Sequence, residues 1–235
     1  MDYHQKLIEQ PDDTDWFIHQ LYDFAPEMGI SMITANYSRW VIDLNRDPDS
    51  KPLYNDGRII TSLCPAQTFY GENIYHNGME PDEAEVQRRL GNYYKPYYEA
   101  IQQKLDELKA EFGYALLWDA HSIRQVAPLI RKESFPDLII GDNDGKSCNN
   151  KLSQTAMNTL IQRGHQVNHN DPFKGGHITR YFGKPEEHQH AIQLEMTKLN
   201  YMGDDELQYD KPRAGRMRES LSRVFEALTD QLHKI

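Results

Sequence analysis

The sequence predicts an α/β fold: a single domain over residues 1–235, with a mixed, mostly parallel sheet flanked by helices. Three observations point there. Short apolar runs of strand length alternate with longer stretches whose apolar residues recur at helical spacing. One run, Tyr114 to Trp118, leads into Asp119-Ala120-His121-Ser122. In open parallel sheets, side chains at the carboxyl ends of strands face the ligand crevice. Finally, no internal repeat and no low-complexity linker divides the chain.

The elements follow in order. Trp16 to Met28 reads as a helix, with Phe17, Leu21, Phe24 and Ala25 on one side, Asp12, Asp13 and Thr14 as cap candidates and Gly29 as its stop. Ile30 to Ile33 and Trp40 to Ile42 read as strands. Asp47 to Gly78 is rich in Pro, Gly, Asn and Asp and reads as a long ordered excursion, a feature that is often functional. Pro81 to Phe112 is the clearest helix, its first turn favoured by Pro81, Asp82, Glu83 and Glu85. Pro96 is expected to kink or divide it. Tyr94, Tyr97, Tyr98, Ile101, Leu105, Leu108 and Phe112 recur at helical spacing, and the tyrosines read as packing with hydroxyls reaching the surface. Leu138 to Ile140 is a strand followed by the turn Asp142-Asn143-Asp144-Gly145. Lys151 to Arg163 is a helix. Val167, Ile178 and Ile192 to Leu194 mark further strands. Met217, Leu221, Val224, Phe225, Leu228 and Leu232 form the stripe of a C-terminal helix.

Composition narrows the function classes. A chain of 235 residues suffices for one α/β core or at most two small domains. Charged residues at 26% and apolar ones at 38% fit an ordinary soluble protein. The net charge of −10 argues against a nucleic-acid backbone as partner, although local arginines can still bind an anionic small molecule. No apolar stretch approaches the ~20 residues that span a bilayer. Met1 to Gln10 lacks a signal pattern, so a cytoplasmic location is expected. Cys64 and Cys148 are too few and too far apart for a disulfide framework or a four-cysteine zinc site.

On the residues alone, several candidates keep two readings. Asp119 and His121 share a face if their strand continues, so they either bind a metal or are solvated at a strand end. Asp13 and Asp15 lie in an acidic segment, Asp12 to Asp15, for which a helix cap is the favoured reading on the residues alone. Glu195 follows the apolar run Ala191 to Leu194 and is either an acid–base group or an exposed strand end. Arg39, Arg46, Arg124 and Arg180 are anion binders or surface ion-pair partners, and at least one is expected to be structural.

Taken together, five segments carry a resemblance. They are Asp12-Asp13-Thr14-Asp15-Trp16, Tyr37 to Arg46, Asp119-Ala120-His121-Ser122, Phe173 to Arg180 and His190 to Met196. In this order they resemble the N-formylglutamate amidohydrolase (N-formylglutamate deformylase) family, from about Pro11 to about Met202 and weakly through the C-terminal helix. The resemblance implies the phosphorylase/hydrolase-like fold of zinc exopeptidases. It implies metal-dependent hydrolysis of N-formyl-L-glutamate to formate and L-glutamate in histidine degradation. The partner would be a small dicarboxylate substrate and the cofactor Zn2+ or another divalent metal. His121 and Asp15, with Asp13 as fallback, would bind the metal, and Glu195 would shuttle protons. Asn45 and Arg46 look like the Asn-Arg pair with which zinc carboxypeptidases grip a carboxylate. Arg180, Arg39 and Arg124 are further carboxylate binders, while His177 stands where the family has an aromatic residue.

The chain departs from the family pattern at its start. Members usually open with a strand ending in Pro-His-x-Gly, whose His binds the metal. This sequence lacks that segment, and His4 has neither the Pro nor the Gly context. The implied metal site is therefore one ligand short. A start assigned too late is the expected reason, ahead of a trimmed chain or a decayed, non-catalytic relative. Two other functions compete: a zinc amidohydrolase for another N-acyl amino acid or peptide, and an inactive protein that binds acidic metabolites.

Overall fold

Period-two alternation decides the sheet. In the computed structural model, which describes residues 3–4, 13–49, 51–53, 62–127 and 131–235, β1 (Ala115–Ile123), β2 (Leu138–Gly141), β3 (Val167–His169) and β4 (Gln189–Thr197) lie in the order β1-β4-β2-β3. β1 and β4 are parallel, as are β2 and β3, while β2 and β4 run antiparallel. The sheet is thus mixed and mostly parallel, as expected. The helices among the described residues are α1 (Ile18–Leu21), α2 (Glu83–Arg89), α3 (Lys95–Phe112), α4 (Asn150–Gln162), α5 (His177–Phe182) and α6 (Lys211–Leu232). None of them is long and apolar enough to cross a membrane.

Contacts gather the chain into two compact units. One comprises Met1–Thr14, Ala35–Gln103 and Val126–Ser134; the other comprises Asp15–Thr34, Lys104–Gln125 and Phe135–Ile235.

The second unit holds the sheet. On one face Leu138, Ile140, Ile192, Leu194 and Met196 are fully buried, and Leu116, Trp118 and Ala120 pack beside them. Their cover is Leu152, Ala156 and Leu160 of α4 together with Met217, Leu221, Val224 and Leu228 of α6. Each such Leu, Ile or Val contributes about 1.5–3 kcal/mol relative to exposure. Alternation sends Asp119, His121, Ile139, Gln193 and Glu195 to the opposite face, where α5 contacts β1 and β4.

The first unit contains α2 and the start of α3. The Asp82 carboxylate caps α2 by accepting from the Glu85 amide, so Pro81 precedes the cap instead of entering the first turn. Leu90–Tyr94 then forms a π-helical turn, with the Lys95 amide reaching the Leu90 carbonyl. Pro96 accounts for it: the ring has no N–H and crowds the carbonyl four residues back, so the ladder widens just ahead of it.

Several expected elements differ. Trp16 to Met28 is not one helix; α1 ends at Leu21 and a separate 3-10 turn covers Ala25–Met28. Phe17, with φ of 59°, interrupts any longer helix. Ile30 to Ile33 forms no strand, and Met32 and Ile33 are exposed. Trp40 to Ile42 is also irregular, although Trp40 and Ile42 are buried. Ile178 lies in α5. Conversely, β1 and β4 run past their apolar runs, so Asp119, His121 and Glu195 sit inside strands. Asp12, and Ser50 and residues 54–61 of the long excursion, lie outside the described residues.

Candidate active site

In the second unit the site begins with strand register. His121 on β1 pairs with Glu195 on β4, and Asp119 pairs with Gln193. Neighbouring strands are about 4.8 Å apart and same-face residues on one strand about 6.6 Å, so these four side chains form a compact rectangle on one face of the sheet. β4 lies between β1 and β2, so Glu195 also neighbours Ile139.

His121 is held between two carboxylates. Its Nε2 lies 2.8 Å from Asp119 Oδ1, and its Nδ1 lies 3.4 Å from Asp15 Oδ2. The other Asp119 oxygen accepts from the Thr179 hydroxyl at 3.0 Å. The other Asp15 oxygen accepts from the Ser122 amide at 2.6 Å. Burial works against charge on His121, but Asp119 and Asp15 outweigh it and hold its pKa well above the ordinary imidazole value. The Tyr201 hydroxyl, buried and pushed well up in pKa by that burial, bonds to Ser122 Oγ at 2.8 Å and to the Trp16 carbonyl at 2.7 Å. Asp15 is therefore anchored to β1 and is no helix cap: α1 has Phe17 at its cap position and no side-chain cap bond.

Glu195 has a second anchor. Its Oε2 accepts from Gln193 Nε2 at 3.2 Å, while Gln193 Oε1 accepts from the Gly176 amide at 2.6 Å. Gly176 is the cap residue of α5. Gly175, with φ of 105°, lets the chain turn there; a Cβ at this position would lie 2.9 Å from Thr179 Cγ2. Arg180 Nε donates to the Gly175 carbonyl at 2.9 Å. His177 opens α5 beside the Tyr181 ring. Arg124 lies elsewhere in this unit, paired with the mostly buried Glu206 at 3.2 Å.

The first unit gathers the remaining candidates around Asp43. One Asp43 oxygen meets Arg39 at 2.6 Å and Arg46 at 3.4 Å, and the other accepts from the Asn45 amide at 3.0 Å. Burial pushes the Asp43 carboxyl up, but Arg39 and Arg46 together overcome this and hold it below the usual carboxylate range. Asp13 also belongs here. Its Oδ2 accepts from Trp40 Nε1 at 3.1 Å and from the Phe69 amide at 2.9 Å.

The donor chemistry suits part of a metal site. Two ligands of a tetrahedral zinc with bonds of about 2.0 Å stand about 3.3 Å apart. Asp15 Oδ2 and His121 Nδ1 are separated by 3.4 Å. Asp119 on the far ring nitrogen matches the outer carboxylate that orients a metal-binding His. Among the described residues, no group of three or more His, Cys, Asp or Glu is arranged to hold a metal ion.

The structure thus brings together Asp15, His121 and Glu195, and separately Arg39, Asn45 and Arg46. Sequence reasoning passed over Thr179 and Gln193. Period two places Gln193 on the Glu195 face, which was a usable signal; Thr179 reaches Asp119 across 60 positions and left none.

Asp119, His121 and Glu195 stand on adjacent parallel strands of an α/β fold, side chains whose chemistry suits proton transfer. Comparison with known proteins makes this particular. Residues 3–202 match the sequence model of the N-formylglutamate amidohydrolase family. The chain is 46% identical over 194 residues to N-formylglutamate deformylase of Pseudomonas aeruginosa, covering 82% of this chain and 72% of the relative. It is 45% identical over 195 residues to N-formylglutamate deformylase of Pseudomonas putida, covering 83% and 72%. The crystal structure of N-formylglutamate amidohydrolase from Ralstonia eutropha JMP134 superposes with a TM-score of 0.76 at 25% identity, over 91% of this chain and 82% of that one. A gene product of Agrobacterium tumefaciens shares the fold, with a TM-score of 0.61 at 19% identity over 83% of this chain and 69% of its own. This chain belongs to the N-formylglutamate amidohydrolase family.

Proposed function

We propose that this chain hydrolyses N-formyl-L-glutamate to formate and L-glutamate, as a step in histidine breakdown. The supporting observation is the register that sets Glu195 beside His121, with Asp15 on the His121 ring. Glu195 takes a proton from the water that attacks the formyl carbon. It returns that proton to the amide nitrogen as the C–N bond breaks, so the glutamate amine leaves neutral. His121 Nδ1 and Asp15 would hold zinc or another divalent ion, which supplies polarisation of the formyl oxygen. Asp119 keeps the His121 ring in place through Nε2. Arg180, Arg46 and Asn45 are proposed to bind substrate carboxylates, with Arg39 as a further candidate; Arg124, paired with Glu206, is proposed as the structural arginine. The planar guanidinium fork suits a carboxylate.

The test is formate release by the purified chain from N-formyl-L-glutamate, with N-acetyl-L-glutamate and N-formyl-L-methionine alongside, with added zinc and with chelator. Preference for the formyl diacid is expected. Equal rates on the acetyl compound would point to a broader acylase. Binding without turnover at any metal concentration would point to an acidic-metabolite binder.

A further inference from the structure

Two buried side chains, Thr179 and Gln193, have no metal, proton or carboxylate role, yet each bonds to a carboxylate of the site. Thr179 is fully buried and donates to Asp119 Oδ2 at 3.0 Å. Asp119 in turn meets His121 Nε2 through its other oxygen. Gln193 is 4% exposed and its amide is fixed at both ends, since the Gly176 amide donates to Oε1 and Nε2 donates to Glu195 Oε2. That polarity settles the orientation of the Gln193 amide, because a flipped group would set two donors and two acceptors against each other. Gly176 and Thr179 belong to the same turn at the start of α5. The turn is tight enough that a Cβ at Gly175 would meet Thr179 Cγ2 at 2.9 Å, so only glycine fits there without a shift.

We propose that the opening turn of α5 is one positioning element that sets both working groups, orienting His121 through Thr179 and Asp119, and Glu195 through Gln193. Two carboxylates and one ring on a sheet face would otherwise keep rotamer freedom. Here the turn reaches them at one remove: the Thr179 hydroxyl fixes Asp119, which holds the His121 ring, and the Gly176 amide fixes Gln193, which holds Glu195. Thr179 and Gln193 are thus positioning residues, and the inference rests on the function proposed above for its kinetic readout only.

The experiment compares Thr179→Val, Thr179→Ser and Gln193→Glu in the full chain. Val keeps the shape of Thr179 and removes the hydroxyl; Ser keeps the hydroxyl. Glu at 193 still accepts from Gly176 but cannot donate to Glu195. In Thr179→Val and Gln193→Glu, kcat is expected to fall about tenfold or more while KM changes about twofold or less. Thr179→Ser is expected to stay near the parent. A second readout needs no turnover: the His121 Nε2–H resonance of histidine-labelled protein should shift in Thr179→Val and stay in place in Thr179→Ser. Equal loss in Val and Ser variants, or an unmoved resonance in Thr179→Val, overturns the Thr179 half. Parent kcat in Gln193→Glu overturns the other half. If the parent chain releases no formate, the proposed function fails while the resonance still decides the Thr179 linkage. Should Thr179→Val not fold, the isosteric Gln193→Glu carries the kinetic test.

Discussion

The two units hold their candidate groups by opposite means. In the second, His121, Asp119, Gln193 and Glu195 stand on strands, and the β1–β4 register fixes their order. In the first, Arg39 to Arg46 has neither strand nor helix, and side chains do the work of a ladder. The carbonyls of Trp40, Val41, Leu44 and Arg46 accept from Tyr75 at 3.1 Å, Arg89 at 2.8 Å, Tyr98 at 2.8 Å and Tyr94 at 2.8 Å. Irregular backbone must still satisfy its polar groups when buried, and here phenols and a guanidinium satisfy them. The lesson is that placement by register is robust to single side-chain losses, whereas placement by side-chain bonds is divided among a few removable atoms.

The largest effect expected from this contrast is chemical and falls on the sheet. Glu195→Gln keeps size and fold but removes the base, so turnover should drop by about 10²–10⁴-fold with the melting temperature within a degree or two of the parent. His121→Ala should lose turnover to background together with bound metal. Steady-state kinetics and metal analysis check both. Retained metal in His121→Ala, or near-parent turnover in Glu195→Gln, would remove these residues from the site.

In the first unit the centre is Asp43, and its loss should appear as stability. The folded carboxyl has a pKa below that of the unfolded chain. As pH falls, the unfolded state therefore binds the proton first. The stabilisation is complete above the unfolded value of about 4 and disappears as pH drops through the folded value. Asp43→Asn should cost about 2–3 kcal/mol at neutral pH, less than a fully enclosed pair because a quarter of Arg39 is exposed. Its urea midpoint should also fall less steeply than the parent's below pH 5. An unchanged acid limb would show that Arg39 and Arg46 do not stabilise the Asp43 anion.

The same contrast explains what was legible in the sequence. β1, β2, β4, α4 and α6 announce themselves because burial of one face imposes a period of two or 3.6. Ile30 to Ile33 and Trp40 to Ile42 mislead because a short apolar run carries no period, and only tertiary bonds decide its shape. α5 has six residues, too few to distinguish Ile178 in a helix from Ile178 in a strand. Asp15, His121 and Glu195 were legible through ordered motifs, and the structure sets them side by side. The tyrosines were half legible: Tyr94 and Tyr98 pack with rings 4.2 Å apart, but their hydroxyls turn to the Arg46 and Leu44 carbonyls and not to the surface. No spacing rule reveals a bond across 54 positions, as from Tyr98 to Leu44.

A smaller effect separates the arginines. Arg46→Ala and Arg180→Ala should lower kcat/KM for N-formyl-L-glutamate by about 10- to 100-fold, the loss of one charge-assisted pair, with metal content unchanged. Lys at either position should restore only part, because a point charge cannot reproduce the fork. Arg124→Ala should act on stability instead, since its guanidinium pairs with Glu206. Normal efficiency in both Arg46→Ala and Arg180→Ala would place the carboxylate contacts elsewhere.

The smallest effect tests the side-chain ladder itself. Tyr98→Phe removes one hydroxyl and leaves the ring stack with Tyr94 in place. The Leu44 carbonyl then loses its 2.8 Å donor. One neutral hydrogen bond contributes about 1 kcal/mol, so the urea midpoint should fall modestly at constant slope. The segment also carries Asn45 and Arg46, so loosening it should raise KM for the diacid severalfold and leave kcat nearly intact. The double variant Tyr94→Phe/Tyr98→Phe distinguishes packing from pinning. Independent packing sites would give additive losses in stability and no change in KM. Pins on one segment, at the Leu44 and Arg46 carbonyls, should give a KM rise greater than the product of the two single effects, because the first hydroxyl removed leaves the second still holding the segment.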